Sequence, residues 1–237
     1  MKVQFKAKIP KEAKYIKDNE DSFRWSEKFG FAVLSDGASE SFAAKVWSNL
    51  LVKKFLHTTT MDDAFLASIH EVYEDEINYQ DLSWSKQAAY LRGSFATILA
   101  LWENLEKTEV TVVAVGDSIA VLCKDNLSVD SFPYHESEEF TQRPKLLSTI
   151  PRHNEFLHSQ DFLNTHQIRW PVDTTTHILL MTDALGAWCL KRIEENDPEW
   201  LSLLDLRNTP DFRKLVIKER KSGRMKIDDT SLLVLSF

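Results

Sequence analysis

The chain of 237 residues has little of what marks several large classes of protein. Its two cysteines, Cys123 and Cys189, each sit in an apolar stretch and read as reduced, buried thiols; a disulfide has no support in the sequence. No apolar run approaches the ~20 residues of a membrane-spanning helix. The opening MKVQFKAKIPKEAKY alternates apolar and basic residues and lacks the hydrophobic stretch of a signal peptide. Internal repeats, low-complexity linkers and heptads are absent as well. There is no excess of basic charge: 36 acidic residues against 29 basic ones leave a net charge of −7, which excludes a general nucleic-acid-binding face. These absences lead to the expectation of a cytoplasmic protein with neither membrane nor nucleic acid as partner. With 43% hydrophobic residues, the chain can bury a full core without disulfides, and one domain over 1–237 is expected.

Apolar periodicity supplies the elements. Residues 3–9 alternate in period two and predict an opening strand; 31–35 predict a short buried strand ending at Asp36-Gly37. In ESFAAKVWSNLLVKKFL, Phe42, Val46, Trp47, Leu50, Leu51 and Phe55 recur at three- and four-residue steps. That spacing predicts an amphipathic helix with a Ser/Glu-rich start and with Lys53 and Lys54 near its end. Residues 62–78 predict a second helix capped by Asp62, and 84–91 a third. Strands at 94–102 and 110–115 flank the polar turn ENLEKTE as a hairpin. Gly116-Asp117 predicts another tight turn into the strand IAVLC, and strands joined so closely are expected to pair antiparallel. Residues 124–176 are polar and show no legible element. A buried strand at 177–182, helical patterns at 185–191, 198–205 and 210–221, and a last strand SLLVLSF complete the chain. The order predicts an α+β fold of antiparallel sheets covered by helices.

Five short acidic pieces punctuate these elements: Asn19-Glu20-Asp21, Ser35-Asp36-Gly37, Gly116-Asp117-Ser118, Thr182-Asp183-Ala184 and Asp228-Asp229-Thr230-Ser231. Several adjoin buried strands, as in FAVLSDG, TVVAVGDS, ILLMTDA and DDTSLLVL. A carboxylate at the end of a buried strand is costly unless something compensates its charge. No basic residue stands beside these aspartates in sequence, so a hard divalent cation with oxygen ligands is the expected compensator. Each piece alone reads as a turn or a solvated acidic pair. Only the joint pattern points to a phosphate-handling metal site.

The order and content of these motifs resemble the metal-dependent protein phosphatases of the type 2C family, over nearly the whole chain. The residues that carry the resemblance are Asn19-Glu20-Asp21, Asp36-Gly37, Gly93-Ser94-Phe95-Ala96-Thr97, Gly116-Asp117-Ser118, Thr182-Asp183-Ala184 and Asp228-Asp229. The resemblance implies a four-layer α-β-β-α sandwich, two antiparallel sheets flanked by helices. It also implies hydrolysis of phosphoserine and phosphothreonine with two Mn²⁺ or Mg²⁺ ions. By the same resemblance Asp36 bridges the two metals and the carbonyl of Gly37 completes one coordination shell. Asp183 and Asp228 hold one ion, and Asp21, with Glu20 directly or through water, supports the pair. Asp36 and Asp183 then serve catalysis through the water that the metals activate. Asp117 is expected to tie a turn. The implied partner is a phosphorylated protein, with the phosphatase opposing a serine/threonine kinase.

The chain departs from the family pattern at several points. Ile16 stands where the family has a phosphate-binding arginine; Lys17 is the candidate in its place, with Lys14 and Arg24 nearby, although lysine supplies a point charge rather than a bidentate fork. Ala38 and Ser39 occupy the position of a histidine found in many members, and His135, His153, His158 and His166 read as exposed structural residues. Ala184 replaces a glycine. The segment AAYLRGS has Tyr90 and Arg92 where a third metal would need a carboxylate, so two metals are expected. Phe95 reads as core packing. Trp47, Trp102 and Trp188 are expected in the core, and Trp25, Trp84, Trp170 and Trp200 near element edges or loops. Two other functions stay open. One is an inactive pseudophosphatase that binds phosphoproteins, favoured by Ile16 and Ala184 and disfavoured by the retained carboxylates. The other is a hydrolase of nucleotides or small phosphoesters.

Overall fold

The computed structural model describes residues 1–12, 18–56, 60–125 and 127–237. In chain order the strands are β1 (Lys2–Ile9), β2 (Ser22–Ser26), β3 (Phe31–Ser35), β4 (Phe95–Ala96), β5 (Ile98–Glu103), β6 (Glu109–Val115), β7 (Ile119–Lys124), β8 (Leu127–Phe132), β9 (Leu147–Ser148), β10 (Gln167–Pro171), β11 (Thr176–Met181) and β12 (Thr230–Ser236). The α-helices are α1 (Ala44–Phe55), α2 (Asp63–Glu76), α3 (Trp84–Tyr90), α4 (Phe162–His166), α5 (Asp183–Glu194) and α6 (Thr209–Lys221).

The strands form two five-stranded antiparallel sheets, ordered β1-β12-β11-β7-β8 and β10-β6-β5-β3-β2, and a small β4-β9 pair. Side chains alternate across a strand, so each central strand feeds two cores. Leu34, Leu99, Leu101, Val112, Ile178, Leu180, Leu233 and Leu235 fill the space between the sheets. Val33, Ile98 and Ala100 point the other way, onto Trp47, Leu51 and Phe55 of α1 and Phe65 and Ile69 of α2. Val121, Leu179 and Leu232 do the same on the opposite face, against Leu185, Trp188 and Cys189 of α5 and Phe212 and Val216 of α6. The result is an α-β-β-α sandwich. Burial on both faces explains why these strands read as continuous apolar runs rather than as alternating ones.

Several expectations need correction. The first helix starts at Ala44, not among the preceding Ser/Glu residues. Ser41 Oγ bonds back to the Ala38 carbonyl (2.8 Å) and accepts from Phe95 N (3.1 Å), an alternative to helix that short polar side chains offer. Ala43 then enters the helix with φ 46, in the left-handed region. The run 94–102 is not one strand. It breaks at Thr97, with β4 pairing to β9 and β5 to β3 and β6. Nor do β6 and β7 pair with each other: they lie in different sheets, and Gly116-Asp117-Ser118 steps between the layers. The polar segment 124–176 supplies β8, β9, β10, α4 and two 3-10 helices, Ser137–Thr141 and Pro151–His158. β2 had no apolar run to announce it. Trp170, one residue from the end of β10, and Trp200, in the 3-10 helix Pro198–Leu203, lie near an element edge and in a connection as expected and are buried, whereas Trp84, at the start of α3, is 85% exposed. Asp62 caps α2 as expected, accepting from Phe65 N at 2.8 Å, and both cysteines are buried and free. Among the described residues no helix is long and apolar enough to cross a membrane.

The step between sheets depends on Gly116, whose φ is +102 and where a Cβ would stand 2.6 Å from Thr97 Cγ2. Gly116→Ala is expected to destabilise the fold by about 2–4 kcal/mol, combining left-handed strain with overpacking. Gly223→Ala, also at positive φ but with nothing within 4 Å of its Cβ, is expected to cost only about 1–2 kcal/mol. Urea unfolding of the two variants measures the difference, and equal costs would contradict this account.

Candidate active site

The strand ends determine which carboxylates meet. Ser22 lies opposite Ser35, so Asp21 before β2 and Asp36 after β3 emerge at the same end of one sheet. Met181 lies opposite Leu232 and Ile119, so Asp183 after β11, the pair Asp228-Asp229 before β12 and the turn before β7 emerge together in the other sheet. Stacking the sheets brings both sets to one end of the sandwich. Asp36, Gly37, Asp117, Asp183, Asp228 and Lys226 line a cleft there of about 810 Å³. Asp21 lies below the surface, 1% exposed.

Backbone hydrogen bonds hold the carboxylates in place. Asp36 is pinned by Thr97, whose N–H donates to the Asp36 carbonyl and whose Oγ1 accepts from Asp36 N, each at 2.8 Å; Thr97 Oγ1 also bonds Ser118 Oγ at 2.7 Å. The strand break at Thr97 thus ties Asp36 to the crossing turn. Gly37 packs against chain rather than open space: a Cβ there would lie 2.9 Å from the Ala44 carbonyl and 3.0 Å from the Glu20 carbonyl. Asp229 uses both oxygens structurally, accepting from Lys11 N and Glu20 N at 2.7 Å each. Arg220 holds the approach to β12 by donating to the carbonyls of Pro10 (2.9 Å) and Asp228 and to Thr230 Oγ1 (2.8 Å).

Burial and crowding raise the pKa values of this group. Asp36 is held well above the ordinary carboxylate value, first by burial and then by repulsion from Asp21, Asp183, Asp117 and Asp228. Burial, with repulsion from Asp229 and Asp183, pushes Asp21 up to about 7 against the opposing hydrogen bond from Ser231. Asp117 rises to about 6, by burial and then by Asp183. Asp183 is also raised by burial, although Lys226 opposes the shift. The Lys226 ammonium lies 2.9 Å from Asp183 Oδ2 and 2.8 Å from Asp228 Oδ2. Burial alone would lower its pKa, yet its bonds to these two carboxylates hold it above the usual lysine value.

Of the residues singled out in the sequence, Asp36, Gly37, Asp183 and Asp228 come together at the cleft. Asp21 stands behind them, accepting from Ser231 Oγ (2.6 Å) and Thr182 Oγ1 (3.3 Å), while its other oxygen is buried without a partner. Glu20 is turned toward Lys11 Nζ (3.2 Å) and Ser39 Oγ. Lys17, with Ile16 and Lys14, lies outside the described residues. Arg24 is engaged by Asn49 Oδ1 (3.1 Å) and is not among the cleft residues. Phe95, expected in the core, is half-buried and lines the cleft 5.4 Å from the His153 ring. Sequence reasoning also missed Asp117 and Lys226 as cleft residues, together with Arg92, Arg143, Lys145 and His153. The compensating charge was two positions from Asp228 all along; its reach across to Asp183 could not be read from spacing.

Among the described residues no group of three or more His, Cys, Asp or Glu side chains stands in ready-made metal geometry. Lys226 engages two of the candidates, and Glu20 is engaged by Lys11 and Ser39. The donor chemistry nevertheless fits a hard divalent cation. All the candidate donors are oxygens, their mutual repulsion calls for positive charge, and Asp21 holds a buried oxygen with no hydrogen-bond donor.

Sandwich and cleft together define an α-β-β-α protein with an acidic site at the ends of its central strands. The sequence profile of protein phosphatase 2C matches residues 17–218, and the chain belongs to that family. No curated protein sequence gives a significant match. Solved structures that share the fold include the serine/threonine phosphatase Stp1 from Staphylococcus aureus, at 15% identity, 100% of this chain and 96% of that one, and TM-score 0.57. The catalytic domain of the serine threonine protein phosphatase PstP, in complex with 2 manganese ions, matches at 16% identity, 98% and 97% coverage, and TM-score 0.58. The photosystem II phosphatase PBCP matches at 16% identity, 98% and 97% coverage, and TM-score 0.57. At such identities these likenesses carry the fold alone.

The raised Asp21 has a consequence for stability. The native state holds this proton more tightly than the unfolded chain, so its contribution is full below pH 3.8 and is lost as pH rises through about 7. A rise from 3.8 to about 7 corresponds to on the order of 4 kcal/mol. Asp21→Asn should therefore raise the Tm of the metal-free protein at pH 8 and raise it less at pH 5. Thermal melts in chelator at both pH values test this; no gain at pH 8 would contradict a buried, strained carboxylate.

Proposed function

We propose that this chain is a metal-dependent phosphatase that hydrolyses phosphoserine and phosphothreonine in a protein substrate, opposing a serine/threonine kinase. The observation that carries the reading is the gathering of Asp36, Asp183 and Asp228 from the ends of β3, β11 and β12, strands of two different sheets, at one cleft. Membership of the protein phosphatase 2C family supports it.

In this reading Asp36, Asp183 and Asp228, the Gly37 carbonyl, and Asp21 with Glu20 hold two Mn²⁺ or Mg²⁺ ions. Bound there, such ions supply an activated water and neutralise the charge on the leaving oxygen. The chain's own residues arrange the rest. Thr97, itself bonded to Ser118, keeps the Asp36 backbone fixed between the layers, which sets the point from which its carboxylate enters the cleft. Arg92, Arg143 and Lys145 line the same cleft without an ion pair to any carboxylate among the described residues. They attract and orient the anionic substrate, a task that a lysine at position 17 would share. Phe95 and His153 offer an apolar-aromatic wall for the residue that bears the phosphate.

A second reading, a phosphoprotein-binding module without turnover, draws on the ion pairs of Lys226 with Asp183 and Asp228. The two are separated by phosphate release from para-nitrophenyl phosphate and a phosphothreonine peptide, with and without manganese. Manganese-dependent release is expected, reduced on the order of 10²-fold or more in Asp36→Asn. Peptide binding without release would establish the second reading, and an Asp36→Asn enzyme with near wild-type turnover at saturating manganese would overturn the site.

A further inference from the structure

Lys226 lies in the loop between α6 and β12, which is held on both sides of it. Met225 is buried, and the Asp228 carbonyl accepts from Arg220. With its backbone so fixed, the ammonium reaches Asp183 Oδ2 at 2.9 Å and Asp228 Oδ2 at 2.8 Å, joining a carboxylate that follows β11 to one that precedes β12. These two oxygens belong to the residues that the proposed reading gives to one metal ion. A divalent cation bonds carboxylate oxygens at about 2.0–2.6 Å. It would therefore need the space, and the charge, that the ammonium takes between them. The Lys226 side chain is 63% exposed, so it can swing into water when displaced. Lysine suits such a role because its charge sits at one point on a flexible stem, whereas a guanidinium would lock the pair in a fork.

We infer that Lys226 is an internal counter-cation that competes with a divalent ion for the Asp183–Asp228 pair. The inference rests on the phosphatase reading of the site. It assigns different affinities to the two metal positions. The ion held by Asp36, the Gly37 carbonyl and the Glu20-Asp21 element meets an ammonium only at Glu20, where Lys11 Nζ lies 3.2 Å away; among the described residues no ammonium bridges two of its carboxylates. The ion at Asp183 and Asp228 enters only by expelling the ammonium. Without metal, Lys226 relieves the repulsion between the two aspartates and stabilises the empty site. With metal, it is released into a cleft that also takes the phosphate.

Calorimetric titration with manganese alone, on the wild-type chain and on Lys226→Met and Lys226→Gln, tests this without recourse to activity. The wild type is expected to show one tighter and one weaker binding class. Both variants are expected to tighten the weaker class about tenfold or more, since the competitor is gone. Melts of the same proteins should show a lower Tm for the variants in chelator and a larger rise on adding manganese. Manganese affinity in both variants equal to or below that of the wild type would overturn the competition while leaving the metal site intact. Binding to none of the three proteins would overturn the two-metal reading, and this inference with it.

Discussion

Repulsion between carboxylates crowded at one end of the sandwich is the constraint around which the structure is arranged. Asp21, Asp36, Asp117 and Asp183 are all raised above ordinary carboxylate values, and in each case burial is the first cause. The fold tolerates them through local answers of different kinds. Asp229, also buried, spends both oxygens on backbone N–H groups and so closes the chain between Lys11 and Glu20. Asp21 takes hydroxyl donors from Thr182 and Ser231. Asp183 and Asp228 share the ammonium of Lys226. What these partners leave uncompensated is negative potential facing a cleft, and that is the physical basis for reading the site as a place for cations and phosphate.

The same arrangement explains why the cleft sits at the ends of strands. The central strands are sealed on both faces, by the opposite sheet and by a helix layer, so charged groups on them can reach solvent only where those strands stop. At that end the chain makes its irregular moves: the break at Thr97, the crossing at Gly116, the left-handed entry to α1 at Ala43 and the close packing of Gly37. These features interlock. Thr97 bonds both to Asp36 and to the Ser118 hydroxyl of the crossing turn, and the Gly116 position leaves no room between that turn and Thr97. A carboxylate held by such a frame cannot relax away from its neighbours. The carboxyl groups are therefore kept crowded where a more flexible loop would have let them part.

Much of this was legible in the sequence. The apolar runs at 31–35, 110–115 and 177–182 and the amphipathic pattern around Trp47 reflect burial, and burial is written in residue type. The acidic punctuation at strand ends marked Asp36 and Asp183 after their strands and Asp228 before the last one, and its order along the chain marked the family. Elements that are short and partly polar, such as β2, β8 and β10, carried no such signal, because each is an edge strand of its sheet and is only partly buried. The break at Thr97 was hidden because a buried threonine reads as part of a strand until its hydroxyl is seen to bond elsewhere. Asp117 read as a turn residue because spacing does not say which way a turn faces.

By itself, the sequence determined the layered character of the protein, the apolar strands and helices that build it, and the acidic residues that had to be accommodated at their ends. Tertiary structure alone decided that β6 and β7 part into different sheets, that Asp229 is spent on backbone donors while Asp228 faces the cleft, and that Lys226 reaches across to Asp183. The division has one physical cause. Hydrophobic burial is a property of each residue and leaves a periodic trace, whereas a charge acquires its meaning only from what stands within a few ångströms of it in space.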